Sequence, residues 1–237
     1  DKWNIRDSIK PIFQPIFSQS NIGSDQSAIG SPGFDPWNQL MSAYVNLSFP
    51  KDNLDLFIEV ASDDKRANLS DFLAHWDHTI GYLIGFNKSF VVNNYLFYVR
   101  GEYLNTLPSN TTNPKFYRGS PYIDNFYSNS IYDYSTFENR RLGAHSGSSS
   151  DDSILYLGVK SKKNLILFSF NVERHGVKST QHHELKREIS FILNRYINKN
   201  ATIFFEYENE KINNFGFIDN NTSISNFVWF GYSHVII

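Results

Sequence analysis

From Leu40 the chain alternates apolar and polar residues with a period of two, the spacing of a strand with one apolar face. Met41, Ala43, Val45, Leu47 and Phe49 oppose Ser42, Tyr44, Asn46 and Ser48. A Pro50-Lys51-Asp52-Asn53 turn then leads to Leu54, Leu56, Ile58 and Val60, set against Asp55, Phe57, Glu59 and Ala61. This pair predicts a hairpin. A second one follows: Ile80, Tyr82, Ile84, Phe86 and Phe90 precede Asn93-Asn94, and Tyr95, Phe97, Val99 and Tyr103 come after it. Alternation resumes over 153–161 and 164–175, continues through 184–197 and 201–210 around Asn198-Lys199-Asn200, and ends in 227–237. Between the two hairpins, Leu69, Phe72, Leu73 and Trp76 recur at helical spacing behind Asn68, which predicts one short helix capped by that residue.

Two stretches break the pattern. Residues 1–39 carry Pro11, Pro15 and a Ser/Gly/Asp/Pro-rich run, which predicts an irregular segment. Residues 108–152 combine a Pro/Asn/Thr turn, a run of tyrosines and a Gly/Ser tract, which predicts a long loop. A loop of that length in a compact domain is functional or disordered.

Strand length carries the fold assignment. The nine strands run about 9 to 14 residues in most cases, against about 5–6 in soluble proteins. A strand that crosses a bilayer needs about 9–11. In 201–210 the faces separate cleanly, with Ile203, Phe205 and Tyr207 opposite Thr202, Glu206, Glu208 and Glu210. A lipid-facing band and a polar lumen produce that pattern; a soluble β-sandwich also alternates, and strand length favours the barrel. The expectation is an all-β, antiparallel up-and-down transmembrane β-barrel, or a large section of one, over residues 40–237.

Composition narrows the function. The chain has 237 residues, 22 basic against 24 acidic side chains and a net charge of -2. That balance argues against nucleic acid as a partner, which demands a basic excess. The absence of cysteine removes disulfide scaffolds, thiolate zinc sites and cysteine nucleophiles together. Mean hydropathy is -0.40, and no apolar run reaches the roughly 18 residues of a membrane helix. The abundance of Asn, Ile, Lys, Phe and Tyr has the look of an AT-rich bacterial genome. The amino terminus lacks a basic start, apolar stretch and cleavage site in series, as in a chain whose signal was removed or one that had none.

Candidate chemistry is sparse. His75-Trp76-Asp77-His78 and His182-His183-Glu184 offer metal donors, but neither forms a regular ligand motif, and polar residues at strand ends account for both. Glu59, Glu102, Glu206 and Glu208 lie on polar strand faces, where a glycosidase would pair an acid with a nucleophile and a barrel lumen would simply solvate carboxylates. Ser146-Gly147-Ser148 lacks the strand-turn-helix setting of a nucleophile elbow. The reading is non-catalytic, without metal or cofactor. Glu59, Arg100 and Glu102 are candidates for ion pairs in the lumen.

Several segments, in order, resemble a known family. Asn53-Leu54-Asp55-Leu56-Phe57-Ile58-Glu59-Val60-Ala61-Ser62-Asp63-Asp64 precedes the helix and His78-Thr79-Ile80-Gly81-Tyr82-Leu83-Ile84-Gly85-Phe86. Arg100-Gly101-Glu102-Tyr103 follows, then the tyrosine-rich loop, Arg141-Leu142-Gly143-Ala144-His145-Ser146-Gly147 and Ser150-Asp151-Asp152. This order resembles the carboxyl-terminal part of the Wzi-type capsule-assembly outer-membrane proteins over roughly residues 34–237. The resemblance implies a non-enzymatic β-barrel in the outer membrane of a Gram-negative bacterium, exposed at the cell surface, that helps attach or organise capsular polysaccharide or exopolysaccharide. Its implied partners are that polysaccharide, outer-membrane lipid and other envelope proteins. The family barrel is larger than nine or ten strands close, so this chain is expected to supply a section. Two alternatives stay open: a barrel-like structural subunit of a larger outer-membrane complex, and a carbohydrate-active enzyme.

With an acidic polysaccharide as partner, the 115–152 loop becomes the expected contact. Tyr117, Tyr122 and Tyr127 offer faces for sugar rings, while Arg118, Arg140 and Arg141 offer bidentate pairing to carboxylates, with His145 beside them. The competing expectation is a structural plug, with Arg140 and Arg141 neutralised by Glu59 and Glu102.

Overall fold

The computed structural model describes residues 40–63, 80–107, 136–137, 140–141, 144–178 and 180–234. The fold is all-β. Nine strands form one antiparallel sheet: β1 (Leu40–Phe49), β2 (Leu54–Asp63), β3 (Ile80–Val92), β4 (Tyr95–Asn105), β7 (Asp151–Lys160), β8 (Asn164–His175), β9 (Glu184–Tyr196), β10 (Ala201–Asn213) and β11 (Thr222–His234). Each pairs only with its neighbours in chain order, an up-and-down meander. The two-residue strands β5 (Thr136–Phe137) and β6 (Arg140–Arg141) pair with each other. The sheet is open, with β1 and β11 at its edges, so closure into a barrel is not part of the observed fold.

Among the described residues, three strand boundaries differ from expectation by two residues or more, one of them the end of β10, at Asn213 and not Glu210. β7 starts at Asp151, inside the expected loop, because the Ser/Gly tract before it is hydrogen-bonded and not free. β11 starts at Thr222, five residues before the expected Phe227, since Thr222 to Asn226 continue the ladder against Asn213 to Asn209. The short helix and residues 1–39 lie outside the described residues.

The connections are unequal. At one end of the sheet they span 50–53, 93–94, 161–163 and 197–200; at the other they span 64–79, 106–150, 176–183 and 214–221. The tight end relies on residues that tolerate left-handed backbone: Asn53 (φ 46°) closes the first turn and Asn93 (φ 55°) the second.

Register explains the two faces. Val45, Ile58 and Ile84 stand side by side, as do Val99 with Leu157 and Phe168 with Phe191. One face is therefore an apolar band that crosses the whole sheet, and its side chains are open: Val45, Ile84, Phe168, Phe230 and Tyr232 are among the exposed large hydrophobics. Among the described residues Ala201 is the one buried apolar side chain, whereas ten polar or charged residues are buried. Burial is thus inverted relative to a water-soluble domain. On the opposite, polar face Gly158 lies under the ring of Tyr98, and Gly85 under that of Phe57; a Cβ at either position would occupy the space of the ring.

Candidate functional site

The buried polar groups gather at the long-loop end. β4 ends at Asn105, and the next residue, Thr106, meets the incoming loop. Thr106 donates through its backbone N–H to the Ser150 carbonyl (2.9 Å) and through Oγ1 to the Gly147 carbonyl (2.6 Å). Ser150 Oγ bonds Ser146 Oγ (3.0 Å) and the Gly147 carbonyl (2.8 Å). Ser149 accepts from the backbone N–H of Val177 at its carbonyl (2.9 Å) and from that of Lys178 at Oγ (3.0 Å). Gly147 (φ 78°) supplies the left-handed step that folds 144–150 into the knot. Ser149 and Ser150 are fully buried and committed to these bonds, which leaves them structural and not nucleophilic.

The knot delivers two consecutive carboxylates to opposite faces, as strand alternation requires. Asp151 lies on the apolar face and forms a two-pronged pair with Arg174, with Arg174 Nε donating to Asp151 Oδ1 at 2.8 Å and Nη2 to Oδ2. Asp152 lies on the polar face, where register sets it beside Glu173 of β8 and Glu173 beside Lys186 of β9. His145 Nε2, carried by the knot, lies 2.9 Å from Asp152 Oδ2 and 3.8 Å from Glu173 Oε1. Glu173 also accepts from Asn171 Nδ2 (2.7 Å), His175 Nε2 (2.8 Å) and Lys186 Nζ (3.2 Å). Lys186 Nζ is shared further with Glu188 (3.0 Å) and Glu210 (3.3 Å). His175 Nδ1 reaches Glu184 Oε2 at 3.5 Å, and Glu184 accepts the backbone N–H of Gly216, which anchors the 214–221 connection.

The electrostatics are lopsided. Asp152 and Glu173 have side chains only 4% exposed, and Glu206, Glu208 and Glu210 extend the same polar face towards β11. Hydrogen bonds from His145 to Asp152 and Glu173 raise the imidazole pKa from 6.5 to about 10, against a smaller opposing effect of burial. His145 therefore carries a proton at neutral pH. Among the described residues two buried side-chain oxygens find no hydrogen-bond partner: Asp152 Oδ1 and Asn171 Oδ1. The cluster can hold cations or protons.

Of the sequence-derived lumen pair candidates, Arg100 and Glu102 come together, through Arg100 Nε to Glu102 Oε1 at 2.8 Å, with the guanidinium 6.0 Å from the Tyr156 ring centroid. Glu59 forms no ion pair with a described residue. Glu59 and Glu102 stand on β2 and β4, with β3 between them, and the Phe57 ring covers Gly85, the register partner of Glu102. Glu59 is registered with Leu83 and Glu102 with Gly85, so the carboxylates stand two interstrand spacings, roughly 10 Å, apart and two residues out of register. Of the loop candidates, His145 joins the cluster. Arg140 and Arg141 form β6. Tyr117, Arg118, Tyr122, Tyr127, His75 and His78 lie outside the described residues. His182 Nδ1 sits 3.7 Å from Asp219 Oδ1, at the rim of the long-loop end.

Sequence reasoning missed the central group, Glu173. Its alternation marks it as polar-face, yet nothing local sets it apart from Glu188 or Glu208. A second feature escaped notice as well: a shallow groove of about 400 Å³ on the polar face near the tight end, lined by Asn194, Thr202, Phe204, Glu206 and Trp229. There Phe204 and Trp229 meet edge to face, with centroids 5.0 Å apart. Comparison with known proteins finds no matching family model and no matching curated relative.

Proposed function

We propose that this chain is a bacterial outer-membrane β-barrel, or a large section of one, that helps attach or organise capsular polysaccharide or exopolysaccharide at the cell surface, without catalysis. The observation that carries the membrane reading is inverted burial: a continuous exposed apolar face over strands of 10 to 13 residues, backed by a charged one. On β4, Tyr95 and Tyr103 bracket Phe97 and Val99 on that face. Eight residues at about 3.3 Å each give roughly 26 Å before tilt, close to the apolar band of an outer-membrane barrel with its aromatic girdles. Tight turns at one end and long connections at the other fit the periplasmic and extracellular ends of such a barrel. None of the described helices is long and apolar enough to cross a membrane, so crossing falls to the strands.

The polysaccharide role rests on the resemblance in segment order, and the acidic long-loop end is the surface that would face it. The test is deletion of the gene in its host. Capsule or slime shed into the medium with synthesis intact is the expected result, and unchanged surface polysaccharide overturns the role. Quantitative extraction of the protein without detergent, as a monodisperse monomer, overturns the membrane reading.

One observation favours a second reading. The sheet leaves β1 and β11 as edges, and nine strands make a barrel only if those edges find partners. A structural subunit completed by other envelope proteins satisfies them. Native mass in mild detergent separates the readings: one chain for the self-contained barrel, a larger stoichiometric complex for the subunit.

A further inference from the structure

We infer that His145, Asp152 and Glu173 form a binding site for a divalent transition-metal ion, with Zn²⁺ the best match. The inference goes beyond the polysaccharide reading and stands without it, because it rests on the side-chain constellation alone.

Geometry is the first support. One ligand atom from each of the three residues lies within 4.8 Å of the others, and His145 Nε2 is 2.9 Å from Asp152 Oδ2 and 3.8 Å from Glu173 Oε1. Metal–ligand bonds of about 2.0–2.2 Å put neighbouring ligand atoms about 2.9–3.6 Å apart. The two separations from His145 thus lie within a few tenths of an ångström of that range, and the two carboxylates lie within 4.8 Å of each other. Imidazole with two carboxylates is a donor set that zinc accepts, and it does not need thiolate.

The orphaned oxygens are the second, independent support. Asp152 is 4% exposed and Asn171 5% exposed, and each keeps a buried oxygen without a hydrogen-bond donor. An unpaired buried polar oxygen costs about 1–3 kcal/mol and calls for an explanation such as an ion. Asn171 donates its Nδ2 to Glu173 Oε1, so its carbonyl oxygen sits beside the same carboxylate. Asp152 Oδ1 is the free half of a ligand whose other half already faces His145. A cation at this point supplies the Asp152 carboxylate with the partner it lacks.

The remaining contacts suit a metal centre. His175 Nε2 holds the second oxygen of Glu173, an outer partner that orients a ligating carboxylate. Lys186 divides its one charge among Glu173, Glu188 and Glu210, so it does not neutralise Asp152. The imidazole of His145 is 65% exposed, which leaves an approach from the loop side.

The test uses the full chain in detergent micelles, stripped with a chelator and titrated with Zn²⁺ against a competing fluorescent chelator. The expected result is one equivalent bound at micromolar or tighter Kd. Asp152→Asn, which preserves shape, and His145→Ala, on an exposed loop position, should each weaken it at least tenfold. A His182→Ala/His183→Ala protein should bind as the parent does. β-sheet circular dichroism checks that each variant is folded; if Asp152→Asn fails that check, His145→Ala decides. No saturable binding, binding unchanged in the folded variants, or binding lost with His182 and His183 overturns the site.

Discussion

The two ends of the sheet are held together by different physics. At the tight end, chain neighbours do the work: left-handed asparagines close two turns, and the ring of Tyr98 lies on Gly158 across the β4–β7 ladder. At the long-loop end, Thr106 meets Ser150, Asp152 meets His145, and Glu173 meets Lys186, Asn171 and His175. Those bonds replace an apolar core with paired charges and buried hydroxyls; the 106–150 connection brings in Thr106, His145 and Ser150, and strand register sets Glu173 beside Lys186. The tight end is thus tolerant where its turns are respected. The other end concentrates its stability in a few charged residues.

The largest effect that separates them comes from Glu173→Ala. Removal takes the common acceptor from His175, Lys186 and the Asn171 amide, although Lys186 keeps Glu188 and Glu210 and His175 keeps Glu184. Breaking a buried ion-pair network from one side costs about 3–5 kcal/mol. Denaturant titration in detergent should show the loss, while Glu59→Ala, which removes no ion pair with a described residue, should change stability by less than about 0.5 kcal/mol. Equal losses in the two variants would erase the difference between the ends.

At the tight end the strongest single perturbation is Gly158→Val. Its Cβ would enter the volume of the Tyr98 ring, and overpacking of this kind costs about 1–3 kcal/mol. Combining it with Tyr98→Ala frees the space, so the double variant should lose less than the sum of the singles. Strict additivity in a denaturation cycle would show that the ring does not depend on the glycine.

These two positions also show what was legible in the sequence. Alternation located all nine sheet strands, since a period of two needs only local residue types, and the turns at Asn53 and Asn93 were marked by their composition. The start of β7 at Asp151 was hidden because the Gly/Ser tract reads as loop whether free or knotted; Thr106, more than 40 residues away, and Val177 and Lys178 make the difference. Glu173 was hidden for the same reason. Its importance lies in register across β7, β8 and β9, which no local pattern encodes. Arg100 and Glu102, by contrast, share a strand face two residues apart, and their pairing could be read directly.

A smaller effect probes the turns. Asn93 sits at φ 55°, where a β-branched side chain is strained by about 1–2 kcal/mol. Asn93→Val should destabilise by that amount, and Asn93→Gly should be close to neutral. The same pair of substitutions at Lys163, which has no left-handed requirement, should show the opposite order, with glycine the worse. Matching orders at the two sites would mean that backbone conformation does not limit the tight end.

The smallest effect is a pH dependence confined to the long-loop end. In the folded chain, bonds to Asp152 and Glu173 raise the His145 pKa to about 10, while an unfolded histidine titrates near 6.5. Between those values the folded state holds a proton that the unfolded state has released, so stability falls as pH rises. The contribution is complete below about pH 6.5 and is lost as pH passes about 10. Its size is modest because the imidazole is 65% exposed and solvent screens it. Unfolding midpoints measured with a chelator present, from pH 6 to pH 10, should decline more steeply in the parent than in His145→Ala. Lysine and tyrosine titrations contribute equally to both proteins, so the difference between the two slopes isolates His145. Parallel curves would mean that the imidazole gives up its proton near the ordinary value, and that Glu173 is neutralised chiefly by Lys186.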